Sequence, residues 1–311
     1  MAVRMFWDAF KGWVKVTQRD IRQNGVAGLQ KQIRYAAAAV PARAFQSVGT
    51  IANYGDSVWD SEWDLLIVLD ACRPDLVAAV EDDYEFLSTE TRFSNASQSA
   101  EWLEKNFTSN APPNTAYVTA NPFSDAIDHG FEYVDEVWKY SWDEEIGTVP
   151  PREVTDAAIK ISRENDYNRL VVHYMQPHYP FIPDPLTDGF NPNTNDSELG
   201  ASLWQQMRRG EISPTNVWEP YKKNLEYVLE DVDLLLSNVN ADKAIITADH
   251  ANAMGEWFTF GHIKYAPVPA MKRVPWCETS AKDTKGYEPG SVEKHETDTN
   301  RQEQLEALGY R

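Results

Sequence analysis

Five consecutive apolar residues, Leu65–Leu69, run between polar flanks and end on Asp70. A run this short, without polar alternation, predicts a parallel strand buried on both faces. Three further runs have the same character: 115–120 (TAYVTA), 169–175 (RLVVHYM) and 243–250 (KAIITADH). A fifth strand is expected within 268–276. Between them the period lengthens to that of helices, over 74–81, 97–107 and 151–165, the last opened by proline in its first turn. The longest helical pattern, 216–240, aligns Leu225, Val228, Leu229, Val232 and Leu236 on one face. A short helix over 301–310 closes the chain. Strands alternating with helices predict an α/β fold: a doubly wound, mostly parallel central sheet with helices on both faces. Residues 183–200, rich in Pro, Asn, Asp and Gly, read as a long surface loop or lid, and 277–300 as a polar extended segment. No internal repeat is present.

The first 50 residues differ from the rest. Phe6, Trp7, Phe10, Trp13 and Val14 fall on one helical face, with Lys11, Lys15 and Arg19 off it. Such a helix either packs on the main domain or lies on an anionic membrane, which would give residues 1–45 a peripheral membrane contact. The chain is therefore read as a basic amphipathic helical arm, 1–50, followed by one α/β domain, 51–311. The 311 residues carry a net charge of −19, yet 1–50 hold eight Lys and Arg against two Asp. The remainder is strongly acidic. That surface repels phosphate backbones and argues against a general nucleic-acid binder. It also suits a high-salt cytoplasm. Two cysteines make no disulfide framework and fit a reducing compartment. No stretch of 18 apolar residues predicts a membrane span, and the first 20 residues lack the pattern of a signal peptide. The location expected is cytoplasmic, membrane-associated if the arm binds lipid.

Chemistry concentrates at strand ends, where open α/β sheets place their ligands. The first strand ends at Asp70, the third runs into His173 and His178, and the fourth ends at Asp249-His250. Taken singly, each has an ordinary alternative as a helix cap or a satisfied histidine. Together, Asp70, Asp249 and His250 make a plausible site for a divalent cation, and the mixture of carboxylate and imidazole suits Zn²⁺ or Mn²⁺, with Mg²⁺ or Ca²⁺ as alternatives.

In this light the chain resembles the alkaline phosphatase/sulfatase superfamily, especially its sulfatase-like branch. The segments that carry the resemblance are LLIVLDACRPDL, MQPHYPF, AIITADHANAMGEW, FGHIKYAPVPAMKRVPW and the closing LEALGY, in that order from residue 63 to 310. Residues 1–62 are not covered. The resemblance implies a metal-binding Asp70 and Asp249-His250, with Ala251 departing from the glycine that usually follows. One cation is expected and a second is conceivable.

The resemblance also implies a nucleophile between the first strand and the His178 segment. Cys72-Arg73-Pro74-Asp75-Leu76 comes near the sulfatase Cys/Ser-x-Pro-x-Arg motif, but Leu76 replaces its Arg and the position is wrong, so Cys72 is read as a packed thiol. Ser97 is the expected nucleophile and Ser99 the runner-up; at a helix start, the dipole and free N–H groups favour an oxyanion. The alternative for Ser97 is a plain N-cap. Ser99 and Glu101 replace the motif's Pro and Arg, which disfavours formylglycine and favours phosphate over sulfate. His178 is expected to bind the transferred group or protonate the leaving oxygen. His262 or Lys264 is expected to contact the anion, with His262 alternatively a ligand for a second metal, and Arg73 to clamp an oxygen or pair on the surface. Asp125 and His129 have metal-ligand spacing but come too early in the chain. The expected function is a metal-dependent hydrolysis or transfer of phosphoesters through a phospho-enzyme. Its substrate would be a small molecule, a glycan or a lipid-headgroup ester. The alternatives are a sulfatase, or an inactive relative serving envelope or glycan assembly.

Overall fold

The computed structural model describes residues 45–108, 111–186, 202–290 and 300–309, with isolated positions between 18 and 33. The apolar face of Phe6, Trp7, Phe10, Trp13 and Val14, and the membrane contact expected of it, lie outside the described residues. So does most of the 183–200 loop.

Strand β1, Leu65–Leu69, has the limits expected and every residue is buried. Chain order continues through α1 (Pro74–Ala78), β2 (Thr91–Phe93), α2 (Ser99–Phe107), β3 (Thr115–Thr119) and β4 (Tyr133–Glu136). There follow α3 (Pro151–Glu164), β5 (Arg169–Tyr174), α4 (Leu203–Arg209), α5 (Pro214–Leu236) and β6 (Ala241–Thr247). The short pair β7 (Ala253–Met254) and β8 (Phe260–Gly261), then α6 (Pro269–Lys272), β9 (Arg273–Ala281) and α7 (Arg301–Ala307), complete the series.

The central sheet has seven strands in the order β2-β9-β6-β1-β5-β3-β4. The five from β6 to β4 run parallel, and β9 and β2 add an antiparallel edge. Alternation along β1 shows why both faces need cover. Leu65, Ile67 and Leu69 point into a core with Val154, Ile159, Leu225 and Val232 of α3 and α5. Leu66 and Val68 point the other way, onto Trp102, Leu103 and Phe107 of α2. The sheet is thus doubly wound, as expected.

The antiparallel edge departs from the sequence reading. Pro269 opens a helical turn, α6, so the strand expected over 268–276 begins at Arg273 and runs on to Ala281. The first five residues of the 277–300 segment therefore finish a sheet strand. Among the described residues no helix is long and apolar enough to cross a membrane.

Candidate active site

β1, β5 and β6 are neighbours in the sheet, so their carboxyl ends bring distant residues together. Asp70 follows β1, and Asp249-His250 follow β6; all three are fully buried. One ligand atom from each of Asp70, Asp249 and His250 lies within 4.8 Å of the others. Backbone geometry fixes this arrangement. Ala71 takes a left-handed conformation, φ 61°, uncommon for a residue with a Cβ. Its N–H donates to Asp249 Oδ1 at 3.0 Å, and its carbonyl accepts from the Tyr221 hydroxyl of α5. The His250 N–H also donates to Asp249 Oδ1, at 2.8 Å. One Asp249 oxygen is thus saturated, while Oδ2 has no hydrogen-bond partner. Asp70 repeats the pattern: Oδ2 accepts from Asn121 Nδ2 at 2.8 Å and from Ser99 Oγ at 3.2 Å, and Oδ1 has no partner.

Two buried carboxylates this close repel each other. Burial and the facing Asp249 push the Asp70 carboxyl well above its usual value. Burial pushes Asp249 the same way, but His250, His173 and the Ala71 N–H outweigh it and hold that group low. His250 Nδ1 lies 3.1 Å from the Ala251 carbonyl, which can only accept, so the proton sits on Nδ1 and Nε2 offers its lone pair inward. Two carboxylate oxygens without donors and one imidazole lone pair, all dry, are a donor set that fits a divalent cation. The cation expectation and its three residues meet in one place.

The serine is where the reading changes. Helix α2 starts two residues later than expected, with Gln98 as N-cap and Ser99 in its first position. Ser99 Oγ lies 3.2 Å from His250 Nε2 as well as 3.2 Å from Asp70 Oδ2. Ser97, just before the cap, faces elsewhere. Its hydroxyl lies 2.7 Å from the Ile263 carbonyl and 3.1 Å from Glu101 Oε2, and accepts the Ala266 N–H at 2.8 Å. The delayed helix start turns the second hydroxyl, not the first, toward the acids, so Ser99 lies within the group and Ser97 outside it. Glu101, fully buried, anchors this turn by accepting from Ser97 N, Tyr265 N, Asn53 Nδ2 and Lys105 Nζ.

His178 and His262 do line the group. The His262 ring centroid is 4.7 Å from that of His250 and 5.2 Å from that of His178. Burial pushes the His178 imidazole down to about 4 and His262 well below its usual value, so both are neutral near pH 7. His178 Nδ1 faces the Tyr179 carbonyl and so carries the proton. His262 Nδ1 lies 2.8 Å from Asn252 Oδ1. Gly261 presents His262 from a left-handed backbone, φ 71°; a Cβ there would stand 2.5 Å from the Trp204 ring.

Arg73 and Lys264 are not in this group. Arg73 forks onto Asp75 at 2.8 and 2.6 Å, and its remaining donors go to Glu256 and the Asn252 carbonyl. It ties the Ala251–His262 loop to the start of α1 through Asn252 and Glu256. Lys264 pairs with Glu104 at 3.0 Å near the surface. Cys72 is fully buried, and burial pushes its thiol well up, as a packed thiol requires. Sequence reasoning did not single out Asn121 or Tyr117; Asn121 lies two residues past the end of β3, so the strand-end rule that found Asp70 points to it too.

No protein-family model matches the chain, and no curated protein matches it. Among solved structures it is similar to the following three. The soluble domain of lipooligosaccharide phosphoethanolamine transferase A from Neisseria meningitidis shares 11% identity, with 76% of this chain and 81% of that one covered and a TM-score of 0.47. A protein of the alkaline phosphatase superfamily from Vibrio parahaemolyticus shares 12%, covering 78% and 69%, at a TM-score of 0.40. The lipoteichoic acid synthase LtaP from Listeria monocytogenes shares 13%, covering 76% and 71%, at 0.38.

Proposed function

We propose that the chain is a metal-dependent hydrolase or transferase of phosphoesters, with Ser99 as the nucleophile. The observation that carries this reading is the Ser99 hydroxyl, 3.2 Å from both Asp70 and His250, at the start of a helix and beside two partnerless carboxylate oxygens. Asp70, Asp249 and His250 would hold one divalent cation. When bound, such a cation lowers the pKa of a neighbouring hydroxyl and offsets charge on phosphoryl oxygens.

The protein's own groups supply the rest. Ser99 Oγ can pass its proton to Asp70 Oδ2, 3.2 Å away, while the bare Oδ1 and His250 Nε2 would be left to the cation. The start of α2 favours negative charge on the attacking oxygen. Oγ attacks phosphorus, the ester oxygen leaves, and a phosphoserine remains until water or an acceptor alcohol takes the phosphoryl group. His178 keeps its Nδ1 proton on the Tyr179 carbonyl, leaving Nε2 to exchange a proton with the leaving or entering oxygen. His262, held by Asn252 and with its ring beside those of His178 and His250, would bind the phosphoryl group with them. Phosphate is favoured over sulfate in either serine register. Ser97-Gln98-Ser99-Ala100-Glu101 and Ser99-Ala100-Glu101-Trp102-Leu103 both lack the Pro and Arg that formylglycine conversion needs.

A screen of divalent cations against an aryl phosphate, a phosphodiester, a glycan or lipid-headgroup phosphoester and an aryl sulfate tests the reading. Turnover of phosphoesters that chelator abolishes is the expected result. Turnover of sulfate alone, or metal-independent turnover, would overturn it.

A further inference from the structure

His173 is fully buried, and its Nε2 has no hydrogen-bond partner. That nitrogen lies 3.9 Å from Asp70 Oδ2. On the other side of the ring, Nδ1 lies 3.0 Å from the Tyr117 hydroxyl. Tyr117 and His173 sit on adjacent parallel strands, β3 and β5, in a register that pairs Tyr117 with Val171 and Thr119 with His173. Trp102 of α2 closes the pocket with its ring edge-on to His173, centroids 5.7 Å apart.

Two tautomers are available. If Nδ1 carried the proton, it would donate to the phenol oxygen and Nε2 would aim a lone pair at a carboxylate oxygen. If the phenol donates to Nδ1, Nε2 carries the proton and aims an N–H at Asp70. With Asp70 ionised, as a bound cation requires, only the second arrangement is attractive. Burial pushes the Tyr117 phenol well up, so its proton stays available to donate. His173 approaches the Asp70 oxygen that Asn121 already holds, and leaves Oδ1, the oxygen without a partner, toward Asp249 and His250.

We propose that Tyr117 and His173 are positioning residues: the phenol fixes the Nε2–H tautomer of His173, which steadies the Asp70 carboxylate and sets the affinity of the site for its divalent cation. This rests on the metal-dependent reading above. Outer groups that orient a ligand in this way typically change metal affinity about 10–100-fold when removed.

The test is competition of Zn²⁺ between a chromogenic chelator and the purified full chain, as wild type, Tyr117→Phe, His173→Gln and His173→Leu. Expected is a loss of affinity in that range for Y117F and H173L, with H173Q, which retains an N–H donor, nearer to wild type. The visible spectrum of the Co²⁺-substituted variants should be unchanged, and ¹⁵N NMR should show the His173 proton on Nε2 in wild type, with a larger share on Nδ1 in Y117F. Y117F removes one oxygen from a packed ring, so it keeps the test open even where H173L fails to fold. Affinity in Y117F equal to wild type would overturn the proposal. A changed Co²⁺ spectrum in H173Q would make His173 a direct ligand, which also overturns it. A wild-type chain that binds no divalent cation would remove the metal-dependent reading itself, and this proposal with it.

Discussion

Glu101 and Asp70 are both fully buried carboxylates, and both hold the turn that carries Ser97 and Ser99. Their surroundings differ in one respect. Both Glu101 oxygens are supplied with donors: Oε1 by Asn53 and Lys105, Oε2 by Ser97 and the backbone of Tyr265. Burial pushes its carboxyl up, yet those donors outweigh burial and hold it below the usual value. Asp70 has one oxygen supplied and one bare, with a second bare oxygen on Asp249 beside it, and its carboxyl is pushed well up. A buried carboxylate with every lone pair used is architecture. A pair with bare oxygens facing each other is costly without a cation and useful with one. The two serines divide in the same way, Ser97 to the satisfied side and Ser99 to the unsatisfied one.

That contrast is best broken by exchanging the serines' fates. Ser99→Ala should lower turnover of an aryl phosphate by roughly 10⁴-fold or more, with the melting temperature close to wild type. Ser97→Ala should do the reverse, leaving chemistry largely intact while costing on the order of 1–3 kcal/mol in urea denaturation, since the Ala266 N–H loses its acceptor. Glu101→Ala should destabilise the fold by more than Ser97→Ala, about 3–5 kcal/mol, because Lys105 and several N–H donors lose their partner together.

Acid should probe His178. Its folded value of about 4 lies below the usual 6.5, so the unfolded chain takes up the proton first. Its contribution is fully present above pH 6.5 and is lost as pH falls toward about 4. Denaturant titrations over that window should show a shallower slope for His178→Gln than for wild type. Asp70→Asn should raise the stability of metal-free protein by on the order of 1 kcal/mol while abolishing cation binding, the trade-off expected of a destabilised functional site. The smallest effect is expected at Ala71, whose left-handed backbone glycine would tolerate better; Ala71→Gly should change stability by about 1 kcal/mol or less, with kcat reporting any loosening of the Asp249 contact.

Much of this architecture was legible from pattern alone, for reasons that also mark its limits. Leu65–Leu69 could be read residue for residue because a strand buried on both faces leaves an unbroken apolar run. β2 and β4, half exposed at the sheet's two edges, carry no such run and passed unseen. Asp70, Asp249 and His250 could be grouped because chain order and residue type both pointed to strand ends. The choice between Ser97 and Ser99 was not available locally. It turns on where α2 starts, and that depends on Ile263, Tyr265 and Ala266, more than 160 residues away. Arg73 and Lys264 likewise find their partners, Glu256 and Glu104, at a distance that no motif spacing reveals.

The most direct measurement of the central claim is to incubate the protein with an aryl phosphate and cation, quench it in acid, and look for a phosphoryl group by peptide mass spectrometry. Phosphoserine at position 99 is the predicted result. A phosphoryl group on Ser97, or on any residue outside this turn, would contradict the account.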